Sequence, residues 1–197
     1  MSEKYLLKVD NLTCERNYVK IFNKLSFKLY PGNIILIGGN NGSGKTSLLL
    51  CIANVLSCSG KISINQSMSD LGYVGHENAL CENETIGDFV SFWKKIYNFK
   101  GNYHYIIENF DLRNYIETPI SFLSFGQKKK LSFVRLLMMK TKIWLLDEPI
   151  SGLDEITKNT ILRLIKEHLT KGGGAIATSH QNLNFFDNNK TKRVNIG

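Results

Sequence analysis

Eight consecutive residues constrain this chain more than any others: Gly39-Asn40-Asn41-Gly42-Ser43-Gly44-Lys45-Thr46. The run fits GxxxxGK[ST], and its surroundings are those the motif requires. Before it, Ile34–Ile37 is a short continuous apolar run, the pattern of a strand buried on both faces of a parallel sheet. After it, Thr46–Leu56 reads as a helix. Glycines let successive backbone N–H groups turn inward around an anion where a Cβ would collide. The helix that follows aims the positive end of its dipole at the same anion. Lys45 can reach the β- and γ-phosphates of a nucleotide, and the Thr46 hydroxyl can ligate Mg²⁺. The nucleotide-binding set is therefore Gly39, Asn40, Asn41, Gly42, Ser43, Gly44, Lys45, Thr46 and Ser47.

The rest of the chain fits a strand–helix–strand order. Tyr5–Val9 and Lys24–Leu29 alternate apolar and polar residues, which suits half-buried strands at a sheet edge. Lys61–Ile64 and Leu71–Val74 are further short strands. From about Glu77 to Lys140 the pattern turns helical, with Phe89, Phe92, Trp93, Ile96 and Tyr97 at helical spacing, then Tyr103–Phe110, then Gly126–Met139. Strand patterns return at Ile143–Leu146 and Ala175–Thr178, separated by a helix over Glu155–Thr170 that Lys171-Gly172-Gly173-Gly174 stops. The expected fold is α/β: a parallel-rich sheet with antiparallel edge strands, interrupted by an α-helical insertion. One domain is expected over 1–197, with 1–76 and 141–197 as the nucleotide-binding core and 77–140 as the helical subdomain.

A second constellation stands at Asp147-Glu148, directly after the apolar strand Ile143-Trp144-Leu145-Leu146. Carboxylates at the C-terminal end of a buried strand lie where open α/β sheets bind ligands. Asp147 would hold Mg²⁺ through its water shell. Glu148 would act as general base on the attacking water.

Leu123-Ser124-Phe125-Gly126-Gln127 then narrows the choice. With the phosphate loop, Leu145-Leu146-Asp147-Glu148-Pro149, Ser151-Gly152-Leu153-Asp154 and His180 after a strand, it resembles the ABC ATPase family, whose signature reads LSGGQ. The resemblance covers essentially the whole chain. It implies a RecA-like ATPase core, catalytic roles for Glu148, His180 and Lys45, and a head-to-tail homodimer. In that dimer the signature residues Leu123, Ser124, Phe125, Gly126 and Gln127 cap the ATP held by the other subunit. In physical terms the signature is an anion site at a helix start, where Ser124 and the Gly126 amide can meet a γ-phosphate. Lys128-Lys129-Lys130 is expected as the solvated start of that helix.

Three positions depart from the family pattern. Phe125 stands where glycine is usual. His76 takes the place of the Q-loop glutamine, and two readings stand for it: a ligand of water or Mg²⁺, or a plain loop residue. Arg16 aligns with the adenine-stacking aromatic; its guanidinium can stack on the base, with Tyr18 as the alternative. With the short length, these departures resemble one group, the ATP-binding subunit of bacterial cytochrome c maturation, or haem exporter ATPase. That resemblance implies membrane permease subunits, and indirectly a haem chaperone, as partners. It also implies a place on the cytoplasmic face of the inner membrane. The aromatics Phe89, Phe92 and Trp93 either pack the helical lobe or, with His76–Glu82, receive the permease.

Bulk properties exclude rather than select. With 43% hydrophobic and 21% charged residues the chain is an ordinary globular protein. No run approaches the ~20 apolar residues of a membrane-spanning helix, and the start Met1-Ser2-Glu3-Lys4 carries no signal-peptide pattern. A cytosolic location is expected. The net charge of +8 is scattered, so a nucleic-acid partner is not expected. Cys14, Cys51, Cys58 and Cys81 form no CxxC pair and are expected as free, mostly buried thiols, while His104 and His168 are expected at the surface. Two alternatives remain. One is the ATP-binding subunit of another ABC transporter. The other is a soluble ABC ATPase acting on nucleic acid, a class that usually carries two cassettes or long coiled-coil or basic insertions.

Overall fold

The computed structural model describes residues 4–16, 18–65, 70–75, 80–179, 186 and 188–196. Eight strands form two sheets among these residues. A parallel sheet runs in the order β5 (Leu71–Val74), β6 (Ile143–Leu146), β7 (Gly174–Thr178), β3 (Ile34–Gly38) and β8 (Thr191–Asn195). A second, antiparallel sheet has β1 (Leu7–Arg16) between β2 (Val19–Leu29) and β4 (Ser59–Ile64).

The parallel sheet separates two cores, and the period of its strands decides which side chain enters which. Ile34 and Leu36 of β3 pack to one side with Trp144 and Leu146, against the helices α2 (Ile86–Ile96), α3 (Tyr103–Asn109), α4 (Phe125–Met139) and α5 (Glu155–Thr170). Ile35 and Ile37 pack to the other with Leu145 and Ile176, against α1 (Lys45–Ile52) and the antiparallel sheet. Burial on both faces is why β3, β6 and β7 read as unbroken apolar runs. The strands are also in register: Ile37 pairs with Thr178, Leu146 with Ala177, and Val74 with Leu146. Gly39, Asp147, Ser179 and Gly75 therefore leave the sheet at the same edge.

Several boundaries differ from the sequence expectation, each for a local reason. Strands β1 and β2 run well beyond Tyr5–Val9 and Lys24–Leu29, because register shifts between Val9 and Leu12, Leu12 and Cys14, and Cys14 and Glu15 break the two-residue alternation. Helix α1 stops at Ile52 rather than Leu56, and Asn54 sits in the left-handed region at φ 58°. Strand β8 was not foreseen. Its Thr-Lys-Arg-Val-Asn carries no apolar alternation because it is an edge strand with mostly exposed side chains. The helical insertion begins with a capping box, Thr85 with Asp88, and its core runs without interruption into the α2–α5 face of the sheet. The expected boundary at 76/77 falls outside the described residues.

Candidate nucleotide site

The loop between β3 and α1 has the local geometry of an anion cradle. Gly39 lies at φ 146°, where a Cβ would meet the Ile196 carbonyl oxygen at 2.3 Å and Ser43 Oγ at 2.5 Å. Gly44, the N-cap of α1, lies at φ 99°, with Ile21 Cγ2 only 2.2 Å from the place of a Cβ. A side chain at either position would close the loop. Lys45 is buried, and its ammonium donates to the carbonyls of Gly39 (3.0 Å) and Asn40 (2.9 Å). An ammonium has three donors, so the third can serve a phosphate. Ser43 Oγ is buried with no hydrogen-bond partner among the described residues. An unsatisfied buried hydroxyl costs about 1–3 kcal/mol, and a phosphate oxygen is the kind of acceptor that removes that cost.

Register at the sheet edge brings the second motif to the first. Asp147, 2% exposed, accepts from Thr46 Oγ1 at 2.8 Å across 101 residues of sequence. Its other oxygen accepts from Thr178 Oγ1 at 2.7 Å, and its amide donates to the Val74 carbonyl at 2.8 Å. A hydroxyl and a carboxylate this close form the hard-oxygen pair that Mg²⁺ selects, with water and phosphate oxygens completing the shell. No group of three or more His, Cys, Asp or Glu among the described residues is arranged to hold a metal ion. The charge of Asp147 reaches Tyr73, whose hydroxyl is pushed up to about 12 by burial first and by Asp147 second.

Glu148 follows at φ 46°, a left-handed conformation that costs energy for a residue with a side chain. Its amide donates to Thr178 Oγ1 at 2.8 Å. Thr178, fully buried, therefore links both carboxylate positions. The motif reading overlooked this residue; its place beside β6, one residue before Ser179-His180, was the available signal. The C-terminal end of β8 was overlooked too. Ile196 donates its amide to Gly38, and its carbonyl walls the loop at Gly39.

The signature residues start α4. Ser124 caps the helix by accepting from the Gln127 amide (3.2 Å), and Gln127 Oε1 accepts from the Ser124 amide (2.9 Å). Phe125 and Gly126 lie ahead of the first intrahelical bond, Lys128 N to Ser124 O, so their amides are the donors that such a helix start offers. Gly126 faces Asp154 and Thr157, and the Phe125 ring lies over Gly152. The signature thus packs on the Ser151–Asp154 turn of its own subunit. Asp154 caps α5 through two bonds to Thr157, and those bonds hold its carboxyl below the usual range.

The other expected residues fall as follows. Arg16 is exposed at the end of β1, paired with Val19. Tyr18 beside it is 98% exposed at φ 63°. This hairpin tip is the continuation of the strand whose Ile21 packs under Gly44. His76 and His180 lie outside the described residues. Phe89 is buried and Trp93 stacks on Tyr97 (centroids 5.1 Å apart), whereas Phe92 is 52% exposed.

Two expectations need correction. The lysine run is not a solvated face: Lys129 is fully buried, Lys130 nearly so, and Lys128 pairs with Glu82 at 2.9 Å. The helix start lies against the sheet edge, which takes these stems inside. His168 is not an ordinary surface residue. Its ring stacks on Trp144 at 3.8 Å, its Nε2 meets the Gly174 carbonyl at 3.3 Å, and burial lowers its pKa to about 4. Of the thiols, Cys14 and Cys51 are buried, Cys58 partly so, and Cys81 exposed.

Comparison with known proteins converges on one family. Residues 22–151 match the ABC transporter family. The cytochrome c biogenesis ATP-binding export protein CcmA of Bartonella henselae is 32% identical over 188 residues, covering 91% of this chain and 90% of that protein. The protein of the same name from Vibrio cholerae is 30% identical over 205 residues, covering 98% and 99%. A solved ATP-binding subunit of an ABC transporter superposes with TM-score 0.81 at 22% identity, over 89% of this chain and 79% of that one.

Proposed function

The chain belongs to the ABC transporter family as an ATP-hydrolysing subunit, and from that premise we propose a site-by-site mechanism and a pathway. ATP lies with its phosphates on Gly39–Thr46 and Ser47, and Lys45 meets the β- and γ-phosphates. Thr46 and Asp147 are the residues that would hold Mg²⁺, which supplies charge neutralisation at the phosphates when bound. Glu148 takes the proton of the attacking water, and His180 has the catalytic role that the family resemblance implies. Arg16 lies against the adenine, and His76 serves the water or Mg²⁺ shell. Residues 77–140 act as the helical subdomain on a core of 1–76 and 141–197.

The observation that carries the mechanism is the Thr46–Asp147 hydrogen bond, since it joins the loop to the carboxylates. The signature, packed on its own Ser151–Asp154 turn, leaves the Phe125 and Gly126 amides ahead of the first intrahelical bond. A second copy in head-to-tail arrangement receives them, and the closed homodimer holds ATP at each interface.

The chain's place is the cytoplasmic face of the inner membrane, docked on permease subunits. Among the described residues no helix is long and apolar enough to cross a membrane, so a membrane role needs such partners. Exposed Phe92 supports docking on those subunits, because aromatic anchors are enriched at interfaces. Its relatives' names support cytochrome c biogenesis export as the pathway; haem handling, with an indirect link to a haem chaperone, belongs to the same proposal. Deletion of the gene tests this: loss of holo-cytochrome c, restored by the wild-type chain but not by Glu148→Gln, is expected. Normal cytochrome c in the deletion strain would remove the pathway and leave another ABC transporter as the reading.

A further inference from the structure

Lys129, in the second turn of α4, has no solvent exposure. Taking an ammonium out of water costs several kcal/mol unless opposite charge and hydrogen bonds replace the lost hydration. Both replacements are present. Its Nζ donates to the carbonyl of Gly75, the first residue after β5, at 3.1 Å. Its charge interacts favourably with Asp147 and Glu148, against the burial that disfavours the ammonium.

The cover over this lysine is Phe125, the departure from the family signature. The ammonium lies 6.0 Å from the centroid of that ring. The far edge of the ring meets Gly152, 3.4 Å from where a Cβ would stand. One helix turn therefore carries the signature at its start, a ring over the Ser151–Asp154 turn, and a buried cation bonded at the exit of β5, whose last residue, Val74, accepts from the Asp147 amide. The β5 exit is held by the same cation. The bond to Gly75 ties the signature helix to the exits of β5 and β6 within one subunit.

We propose that Lys129 is a positioning residue for ATP hydrolysis, anchoring Gly75 and orienting the Glu148 carboxylate against the signature helix, with Phe125 sealing the contact from water. The proposal rests on Glu148 as the general base. Lys129 donates to Gly75 at the β5 exit, whereas Lys45 donates to the loop carbonyls of Gly39 and Asn40. Its loss therefore acts on turnover rather than on ATP affinity.

The test compares Lys129→Met, Lys129→Arg, Lys129→Gln and Glu148→Gln in steady-state ATP hydrolysis and in equilibrium binding of a fluorescent ATP analogue. Lys129→Met is expected to lower kcat by about tenfold or more, with analogue affinity within about threefold of wild type. Lys129→Arg keeps the charge and should recover most of kcat. Lys129→Gln keeps a donor for Gly75 without the charge and should behave as Lys129→Met; it carries the test should Lys129→Met fail to fold. Wild-type kcat in both uncharged variants, with Glu148→Gln inactive, overturns the proposal and leaves the base in place. Equal losses of kcat and affinity also overturn it, since they mark a merely structural residue. A fully active Glu148→Gln would instead remove the base itself.

Discussion

Thr178→Val is the most informative single change in the interior of the site. The substitution keeps shape and β-propensity and removes one oxygen. That oxygen donates to Asp147 Oδ1 at 2.7 Å and accepts from the Glu148 amide at 2.8 Å, in a fully buried position. A hydrogen bond to a charged group contributes about 1.5–3 kcal/mol and a neutral one about 1 kcal/mol. Both partners stay behind, the carboxylate oxygen and the amide, so the loss is not cushioned by removing them. The expected cost is about 3–4 kcal/mol. At about 2–4 °C per kcal/mol for a chain of this size, Tm falls by roughly 6–16 °C. Urea unfolding followed by circular dichroism gives the free energy, and Thr178→Ser, which keeps the hydroxyl, should recover most of it. Hydrolysis should fall in parallel, because the bond also holds Glu148 at its left-handed φ. A Thr178→Val protein within about 0.5 kcal/mol of wild type would refute the reasoning, since that is the range of surface changes that touch nothing.

Other outcomes follow from single features. Gly39→Ala should abolish binding of a fluorescent ATP analogue, because its Cβ would meet the Ile196 carbonyl at 2.3 Å; retained affinity would contradict the cradle geometry. His168 is lowered from 6.5 to about 4, so its neutral form is favoured in the folded state. Its contribution is fully present above pH 6.5 and is lost as pH falls from 6.5 towards 4, by up to about 3 kcal/mol. His168→Phe should flatten that slope in urea midpoints taken across the window, and an unchanged slope would contradict it. Under native conditions iodoacetamide should label Cys81 first and leave Cys14 and Cys51 unlabelled, as peptide mass spectrometry would show.

The legible parts of this protein were those in which one segment carries its own constraint. Ile34–Ile37 and Ile143–Leu146 are buried on both faces, so their runs needed no partner to be recognised. The phosphate loop and the capping box at Ser124 are likewise local. What stayed hidden depends on neighbours distant in sequence. Thr178 matters because β6 and β7 are in register, and β8 because β3 needs an edge partner. The lysines at 128–130 read as solvated because charge runs usually are, yet Gly75, Glu82 and the β6 carboxylates receive them. His168 looked isolated in sequence, and its partner Trp144 lies on another element.

In the proposed dimer, Gly39–Thr46 forms half of a site that a second copy completes. Light scattering on a sizing column, with Glu148→Gln and Mg-ATP, tests it most directly. A particle of twice the 22.4 kDa chain mass is expected with ATP, returning to one chain mass with ADP. A particle of one chain mass that nevertheless carries bound ATP would contradict it.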